Sequence, residues 1–294
     1  MRKLQYTVPP ELAGQTLGAV LSREMRLSRH RVSSLKFSGG LLLDGVPTHT
    51  GARLRSGQII TVVLADNACP PDAWATPLAV PYRDEDLLIV DKPAPLPAIH
   101  SARQDARTLE NAVYTWLGCP EGFVYRPVSR LDKGTSGLMP VALNAHMHDR
   151  MQRLLHTPDY VREYLAVTEG APRENEGVCD APIARAEGVR RCVSPDGKPA
   201  MTHYRVLSRA ANGRALLRLR LATGRTHQIR VHMAHLGCPV AGDYLYGTPL
   251  PQLPGRFALH SAYLSFIHPL TGRPIVLESP LPQALTAILL ETPG

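Results

Sequence analysis

Apolar residues near the start of the chain recur with the period of an amphipathic helix. Leu17, Val20 and Leu21 share one face of such a helix, which we expect to begin after Gly14. Ser28 is a suitable N-cap for a second helix with apolar positions at 32 and 35, and the glycine pair at 39–40 would end it. The pattern therefore predicts two helices before residue 40.

Short apolar strands follow these helices. Asp44 and Gly45 form a two-residue turn signal between apolar residues, which is the sequence signature of a β-hairpin. Residues 58–64 are a further apolar run rich in β-branched side chains and predict another strand. We therefore expect residues 1–65 to form a small α/β module of their own.

The periodic apolar pattern stops after residue 65. Residues 66–79 contain three prolines and no apolar period, which is typical of a linker. Residues 80–294 then have the length of one full-sized domain. In that domain the pattern predicts strands at 87–90, 160–167 and 215–221, and helices at 109–117, 147–155 and 227–236.

Two local signals bound the predicted helices of this domain. Thr108 is a reasonable N-cap for the first, and Gly237 stands where the last would end in a left-handed residue. Strands and helices do not alternate strictly along the chain. We therefore expect an α+β domain with a mixed or antiparallel sheet flanked by helices, rather than a doubly wound fold.

Charge adds a candidate binding surface. The chain has 33 Lys and Arg against 25 Asp and Glu, a net charge of +8. Part of this surplus lies on and around the second predicted helix, where acids are scarce: Arg23, Arg26, Arg29, Arg31 and Lys36. A solvated helix face would show the same run, but a basic face on so small a module favours binding to nucleic-acid phosphates.

Several classes of function lack their sequence signal. The five cysteines are scattered without a Cys-x-x-Cys pair, so neither a disulfide framework nor a cysteine zinc site is predicted. The motifs of nucleotide hydrolysis, dinucleotide binding, zinc proteolysis and serine hydrolysis are also missing. No apolar run approaches the roughly 18 residues that cross a bilayer, and no signal peptide is present. We expect a soluble, cytoplasmic protein.

Residues 130–138 are the most unusual segment. Asp132 lies between basic residues and is followed by two glycines and two hydroxyl side chains. Such a loop can hold one carboxylate rigidly with backbone N–H and hydroxyl donors. By its composition alone, the favoured interpretation of the segment is an ordinary Asp turn before a strand.

Residues 223–232 are the second unusual segment. They place Arg225, His227, Arg230 and His232 around the start of a predicted helix, which is a natural site for an anion, although an exposed basic helix end has the same composition.

Three histidines of this region could suggest a metal site. His227, His232 and His235 have no nearby Cys or carboxylate to complete a ligand set. Phosphate contacts or packing are the favoured interpretation, and no metal is predicted.

Taken together, the motifs resemble those of the RluA-type pseudouridine synthase family over about residues 80–285. The family's loop around its catalytic aspartate, Arg-Leu-Asp-x-x-Thr-Ser-Gly-Leu, is matched by residues 130–138. The motif with the active-site tyrosine is matched by residues 161–167, and Gly-Arg-x-His-Gln-Ile-Arg-x-His by residues 224–232. A strand before Lys92-Pro93 and a Gly-Asp-x-x-Tyr-Gly run at 242–247 complete the family's order.

The resemblance extends to the first module and has two departures. Residues 15–64 resemble the small alpha-L RNA-binding module shared by a ribosomal protein and several RNA-modifying enzymes. In the second domain, Ser129 stands where members often carry His, and Pro95 stands where Gly is usual. Neither departure removes a reacting group.

The reaction implied by the resemblance converts a uridine in RNA to its C-glycoside isomer, without a cofactor. The bond from ribose C1′ to uracil N1 breaks, the ring turns, and C5 bonds to C1′. Asp132 would act on the ribose, either by attacking C1′ or by removing a C2′ proton. Arg230 would be its counter-ion, and Tyr164 would stack on the uracil and relay the C5 proton.

The resemblance also implies the residues that hold the substrate. The expected contacts are Arg130, Leu131, Thr135, Ser136, Arg225, His227, Ile229, His232 and Leu236. Ile229 and Leu236 would form apolar walls, and the basic members would hold flanking phosphates.

The RNA partner and the competing functions remain open at this point. Large-subunit ribosomal RNA is favoured over transfer RNA because of the attached module, and a monomer is the default state. A non-catalytic RNA-binding or ribosome-assembly protein with the same fold is the alternative. A hydrolase using Ser136 with a histidine would need a base and an oxyanion hole that nothing in the sequence marks.

Overall fold

The computed structural model describes residues 2–27, 32, 35, 40–64, 71–100 and 107–291. Within these ranges the strands are β1 (Arg2–Thr7), β2 (Leu41–Leu43), β3 (Val46–Pro47), β4 (Ile59–Leu64), β5 (Ala79–Arg83), β6 (Leu87–Lys92), β7 (Ser136–Ala142), β8 (Val161–Glu169), β9 (Glu176–Asp180), β10 (Ile183–Arg185), β11 (Arg191–Val193), β12 (Met201–Arg209), β13 (Arg214–Leu221), β14 (Leu259–Ile267) and β15 (Pro274–Glu278). The α-helices are α1 (Leu17–Arg23), α2 (Leu109–Trp116), α3 (Ala145–Leu154), α4 (Gln228–His235) and α5 (Gln283–Leu290).

The first part of the chain forms a small sheet with the order β1-β4-β2-β3, in which every pair is antiparallel. The predicted helix after Gly14 is confirmed as α1, and its three apolar residues are fully buried. The predicted hairpin is confirmed too. Asp44 and Gly45 have φ values of 51° and 81°, as a type I′ turn requires. Most of the second predicted helix, with its cap Ser28, lies outside the described residues.

The end of the predicted linker lies against the second domain. Trp74 donates its backbone N–H to Oγ1 of Thr115 at 2.6 Å, and Nδ2 of Asn111 donates to the carbonyl of Asp72 at 2.9 Å. Both partners are on α2. Residues 71–78 contain no helix or strand, but these bonds tie part of the segment to the helix.

A nine-stranded sheet forms the second domain. Its order is β5-β6-β7-β14-β8-β13-β12-β9, and β15 pairs with β14. The β7–β14 pair is parallel, and the other pairs are antiparallel. This arrangement confirms the predicted α+β class with a mixed sheet.

Helices cover both faces of one half of this sheet. Strand β6 shows the arrangement, because its side chains alternate between two apolar clusters. Leu88 and Val90 pack with α2, α4 and α5, whereas Leu87 and Ile89 pack with α3. Burial on both faces explains why this strand is a continuous apolar run in the sequence.

The predicted N-cap of α2 and the predicted left-handed residue after α4 are both confirmed. Thr108 caps α2 in a capping box, and Gly237 follows α4 with a φ of 76°. Strands β1, β5, β9 to β12, β14 and β15 were not predicted. Within the described residues, no helix is long and apolar enough to span a membrane.

Candidate active site

A cleft of about 690 Å³ lies where the loop before β7 meets the start of α4. Nine of the predicted site residues line it: Arg130, Leu131, Asp132, Thr135, Tyr164, Arg225, His227, Ile229 and Arg230. Two hollows of about 600 and 550 Å³ lie on the outer face of the sheet around Glu163 and Arg218, and neither contains Asp132. The cleft thus gathers residues from three sequence motifs.

The loop that carries Asp132 is held by close backbone packing. Thr135 donates its N–H to the carbonyl of Asp132 at 3.0 Å, which closes a turn. Gly134 lies so close to Phe257 that a Cβ would stand 2.6 Å from the ring. The loop is therefore packed against its neighbours, with the Asp132 side chain 30% exposed in the cleft.

The buried side chain of Arg230 donates a hydrogen bond to Asp132. Its Nη1 donates to Oδ2 of Asp132 at 3.0 Å, while Nε and Nη2 donate to the two oxygens of Asp243 at 2.6 and 2.8 Å. The Arg230 side chain is 2% exposed and Asp243 is fully buried. This bidentate pairing fixes the plane of the guanidinium group and aims its remaining donor at Asp132.

Aromatic rings complete the enclosure of Arg230. Its guanidinium carbon lies 4.2 Å from the ring centre of Phe257, 5.0 Å from Tyr246 and 5.7 Å from Tyr244. Burial alone would lower the pKa of Arg230, but the hydrogen bonds and charge of Asp243, followed by Asp132, raise it overall. Arg230 is therefore a permanent cation at the base of the cleft.

Tyr164 lies in the middle of β8, opposite Ser261 of β14 and Leu219 of β13. It is 6% exposed and borders the cleft. Burial raises the pKa of Tyr164; the charge of Arg162 lowers it and that of Asp132 raises it, with a net upward shift. The phenol is therefore neutral at physiological pH.

The start of α4 is fixed by Gln228, which sequence reasoning did not single out. Its Oε1 accepts from Oγ1 of Thr223 and the N–H of Arg225, and its Nε2 donates to the carbonyl of Met201. The residue before it, His227, has a left-handed φ of 58°. This conformation places Nε2 of His227 3.9 Å from Oδ2 of Asp132.

Three more functional candidates appear only in the structure. Arg162, Arg185 and Arg191 line the cleft together with the predicted Arg130 and Arg225. Within the described residues none of these five guanidinium groups forms an ion pair with a carboxylate. Arg162 sits next to the matched tyrosine motif, but strand alternation alone gave it no chemical role. The rim of the cleft is therefore positively charged and open to an anion.

Three predicted substrate contacts do not reach the cleft. Ser136 begins β7 on the side opposite Thr135, and its Oγ bonds to His260 and Arg256. His232 is fully buried and bonds to Thr202 and the carbonyl of Ala181. Leu236 lies two turns along α4 from the cleft and packs into the core. The structure therefore does not bring these three side chains to the lining of the cleft.

The predicted RNA-binding residues of the first module are described only in part. Arg23 and Arg26 are exposed. Arg29, Arg31 and Lys36 lie outside the described residues. In the described part of the chain, no group of three His, Cys, Asp or Glu residues is placed to hold a metal ion.

The chain is similar to a known protein family and to several named proteins. A family model described as RNA pseudouridylate synthase matches residues 86–235. The ribosomal large subunit pseudouridine synthase D of Xanthomonas campestris is 38% identical, covering 97% of this chain and 91% of that protein. The protein of the same name from Nitrosomonas europaea is 36% identical, covering 97% of this chain and 87% of that protein.

A solved structure is also similar. Human RNA Pseudouridylate Synthase Domain Containing 4 matches with a TM-score of 0.59 and 26% identity, over 74% of this chain and 95% of that one.

Proposed function

The chain belongs to the RNA pseudouridylate synthase family, and we propose that it isomerises uridines of large-subunit ribosomal RNA with Asp132 as the reacting carboxylate. One observation carries the assignment of Asp132. Its Oδ2 accepts a hydrogen bond from buried Arg230, while its side chain remains 30% exposed in the cleft. A carboxylate that is both fixed and accessible is what a reaction at the ribose requires.

The charges around Asp132 suit either route at the sugar. Attack on C1′ and removal of the C2′ proton both need an ionised carboxylate, and Arg230 favours that form. Deuterium at C2′ slows only the second route, because only that route breaks the C2′–H bond. The rearrangement involves no oxidation or hydrolysis, so we propose that it proceeds without a cofactor.

Tyr164 and Ile229 supply the walls of the uracil site in this proposal. Both line the cleft, at 6% and 4% exposure. The neutral phenol of Tyr164 can stack on the base and pass the C5 proton onward. A cleft of about 690 Å³ admits a nucleotide that has left its helix or loop, at a cost of a few kcal/mol of unstacking.

RNA as the partner is supported by the positive rim. Arg130, Arg162, Arg185, Arg191 and Arg225 surround the mouth of the cleft and can hold the phosphates that flank the target. The names of two close relatives specify the ribosomal large subunit. We therefore place the substrate in large-subunit RNA, and the protein with it in the cytoplasm. All proposed reacting groups come from one chain, which is compatible with a monomer.

The first test replaces Asp132 with Asn, which keeps the shape and removes the charge. We expect pseudouridine formation on large-subunit RNA to fall by a factor of about 10³ or more, with RNA binding retained. The matched control is Asp196→Asn, a surface carboxylate in a turn, which should keep wild-type activity. An Asp132→Asn protein with the wild-type rate would refute the assignment.

The second test concerns the RNA. Pseudouridines are mapped in ribosomal and transfer RNA from cells with and without the protein. We expect the lost sites to lie in large-subunit RNA. Loss confined to transfer RNA would overturn the substrate assignment while leaving Asp132 in place.

A further inference from the structure

Tyr246 connects three parts of the cleft. Its hydroxyl oxygen accepts the backbone N–H of Arg191, on β11, at 2.9 Å and lies 2.8 Å from Nδ1 of His227. Its ring centre lies 5.0 Å from the guanidinium carbon of Arg230. One side chain therefore contacts the β10–β11 hairpin, the residue before α4, and the arginine that holds Asp132.

The hydroxyl of Tyr246 favours one of the two neutral tautomers of His227. The backbone N–H of Arg191 can only donate, so it occupies a lone pair of the hydroxyl oxygen. Among the described residues, the hydroxyl proton then has one acceptor within reach, Nδ1 of His227. A neutral imidazole whose Nδ1 accepts a hydrogen bond must carry its own proton on Nε2.

Nε2 of His227 faces the catalytic carboxylate proposed above. It lies 3.9 Å from Oδ2 of Asp132, the same oxygen that accepts from Arg230 at 3.0 Å. The described residues donate no hydrogen bond to Oδ1. We propose that Tyr246 is a positioning residue that holds His227 as the Nε2–H tautomer, so that this N–H faces Oδ2 of Asp132 beside the hydrogen bond from Arg230, and Oδ1 remains for the ribose. This inference rests on the proposed role of Asp132.

Four charged groups face His227 besides Tyr246. Burial lowers the pKa of His227 most; Asp132 raises it, Arg230 and Arg191 lower it, and Asp243 raises it, with a net decrease. The ring is therefore neutral at physiological pH. A bond from the tyrosine hydroxyl to Nδ1 exists only with the neutral ring, so loss of that hydroxyl would raise the pKa of His227.

Tyr246→Phe tests the proposal, because it keeps the ring beside Arg230 and removes the hydroxyl. ¹⁵N NMR of the imidazole should show Nδ1 as an acceptor and Nε2 protonated in the wild type, and a mixture of tautomers in the variant. We expect kcat to fall about tenfold, KM to change less than about twofold, and the acid limb of the kcat profile to move to higher pH.

A matched control separates this effect from loss of any tyrosine hydroxyl. Tyr82 donates its hydroxyl to Asp84 at 2.6 Å, on β5 and outside the cleft. Tyr82→Phe should leave kcat and its pH profile at wild-type values. A tenfold loss in this variant would count against a specific role of Tyr246.

A double-mutant cycle tests the path through His227. His227→Gln keeps an N–H donor on a similar side chain but cannot titrate. On that background, Tyr246→Phe should cost less than about twofold in kcat, because the two residues act as one unit. Equal costs in both backgrounds would show that Tyr246 acts through another contact.

The outcomes distinguish the positioning role of Tyr246 from the proposed function of Asp132, on which it rests. A wild-type imidazole protonated on Nδ1, or a Tyr246→Phe protein with unchanged tautomer and pH profile, would overturn the positioning role alone. The tautomer is measured without reference to activity. An active Asp132→Asn protein would overturn the proposed function instead.

Discussion

Lys92 is a buried lysine near Asp132, and its sequence motif alone does not assign it a role. It is fully buried, and its Nζ donates to the carbonyls of Pro93 and Leu96 at 3.1 and 2.8 Å. The N–H of Leu96 in turn donates to the carbonyl of Lys133, the residue after Asp132. Lys92 therefore supports the loop of Asp132 through the segment that follows β6.

The cost of burying this cation leads to a prediction about pH. Burial lowers the pKa of Lys92 from 10.5 to about 7, although the charge of Asp132 opposes the shift. The unfolded chain binds this proton more tightly, so the penalty is complete below about pH 7 and is relieved as pH rises towards 10.5. Between these limits the wild type should gain on the order of a few kcal/mol of unfolding free energy relative to Lys92→Met. Denaturant unfolding of both proteins across this range measures the difference, and parallel pH curves would contradict it.

Strand β7 shows how an element brings Asp132 and Tyr164, the proposed reacting groups, into one region of the sheet. It pairs in parallel with β14, where Gly137 lies beside Ser261, and Ser261 in turn pairs with Tyr164 on β8. Gly137 has a φ of 109°, and a Cβ there would stand 2.3 Å from the carbonyl oxygen of Ser261. Only glycine allows this approach, which brings the loop of Asp132 to within one intervening strand, β14, of Tyr164.

Gly137→Ala should therefore push β7 away from β14. We expect a loss on the order of 2–3 kcal/mol of unfolding free energy, together with loss of activity, from the positive φ and the backbone clash combined. Gly213→Ala is the control, because Gly213 also has a positive φ of 82° but nothing lies within 4 Å of a Cβ. If the two variants lost equal stability, the close approach at Gly137 would not matter.

At the scale of the whole molecule, the first module has a hydrophobic core separate from that of the catalytic part. Its buried cluster includes Leu17 of α1 and Ile60 of β4 and no residue beyond 62. The clusters of the second part begin with residues of β6. The separate cores support our proposal that residues 1–65 and 80–294 form two domains.

Removal of residues 1–65 tests what the module contributes. Because Asp72 and Trp74 bond to α2, the shortened chain keeps the contacts of its own start. We expect a folded protein with wild-type circular dichroism and near-normal kcat on a short RNA around the target. Affinity for whole large-subunit RNA should fall, and its salt dependence should weaken with the lost basic residues. Unchanged affinity and unchanged choice of uridine would count against an RNA-binding role for the module.

Local signals in the sequence specified several elements well. The helix at Leu17, the Asp44-Gly45 hairpin and the Thr108 cap depend on residues close together in the chain, and all three are confirmed. The order of motifs likewise indicated the pseudouridine synthase family, which the comparisons confirm, because each motif is a run of neighbouring residues that the sequence displays directly. Periodicity and caps arise from neighbours a few residues apart, so these features needed no tertiary structure.

Tertiary structure decided which of these groups touch. Arg230 meets Asp132 across 98 residues and shares its charge with Asp243, while His232 and Leu236, predicted beside them, turn into the core. Strands β9 to β12 have no clear signal in the sequence, and the pairing of His227 with Tyr246 depends on the turn after α4. Sheet order, burial and hydrogen-bond partners depend on contacts between residues distant in the chain, and a one-dimensional pattern does not carry that information.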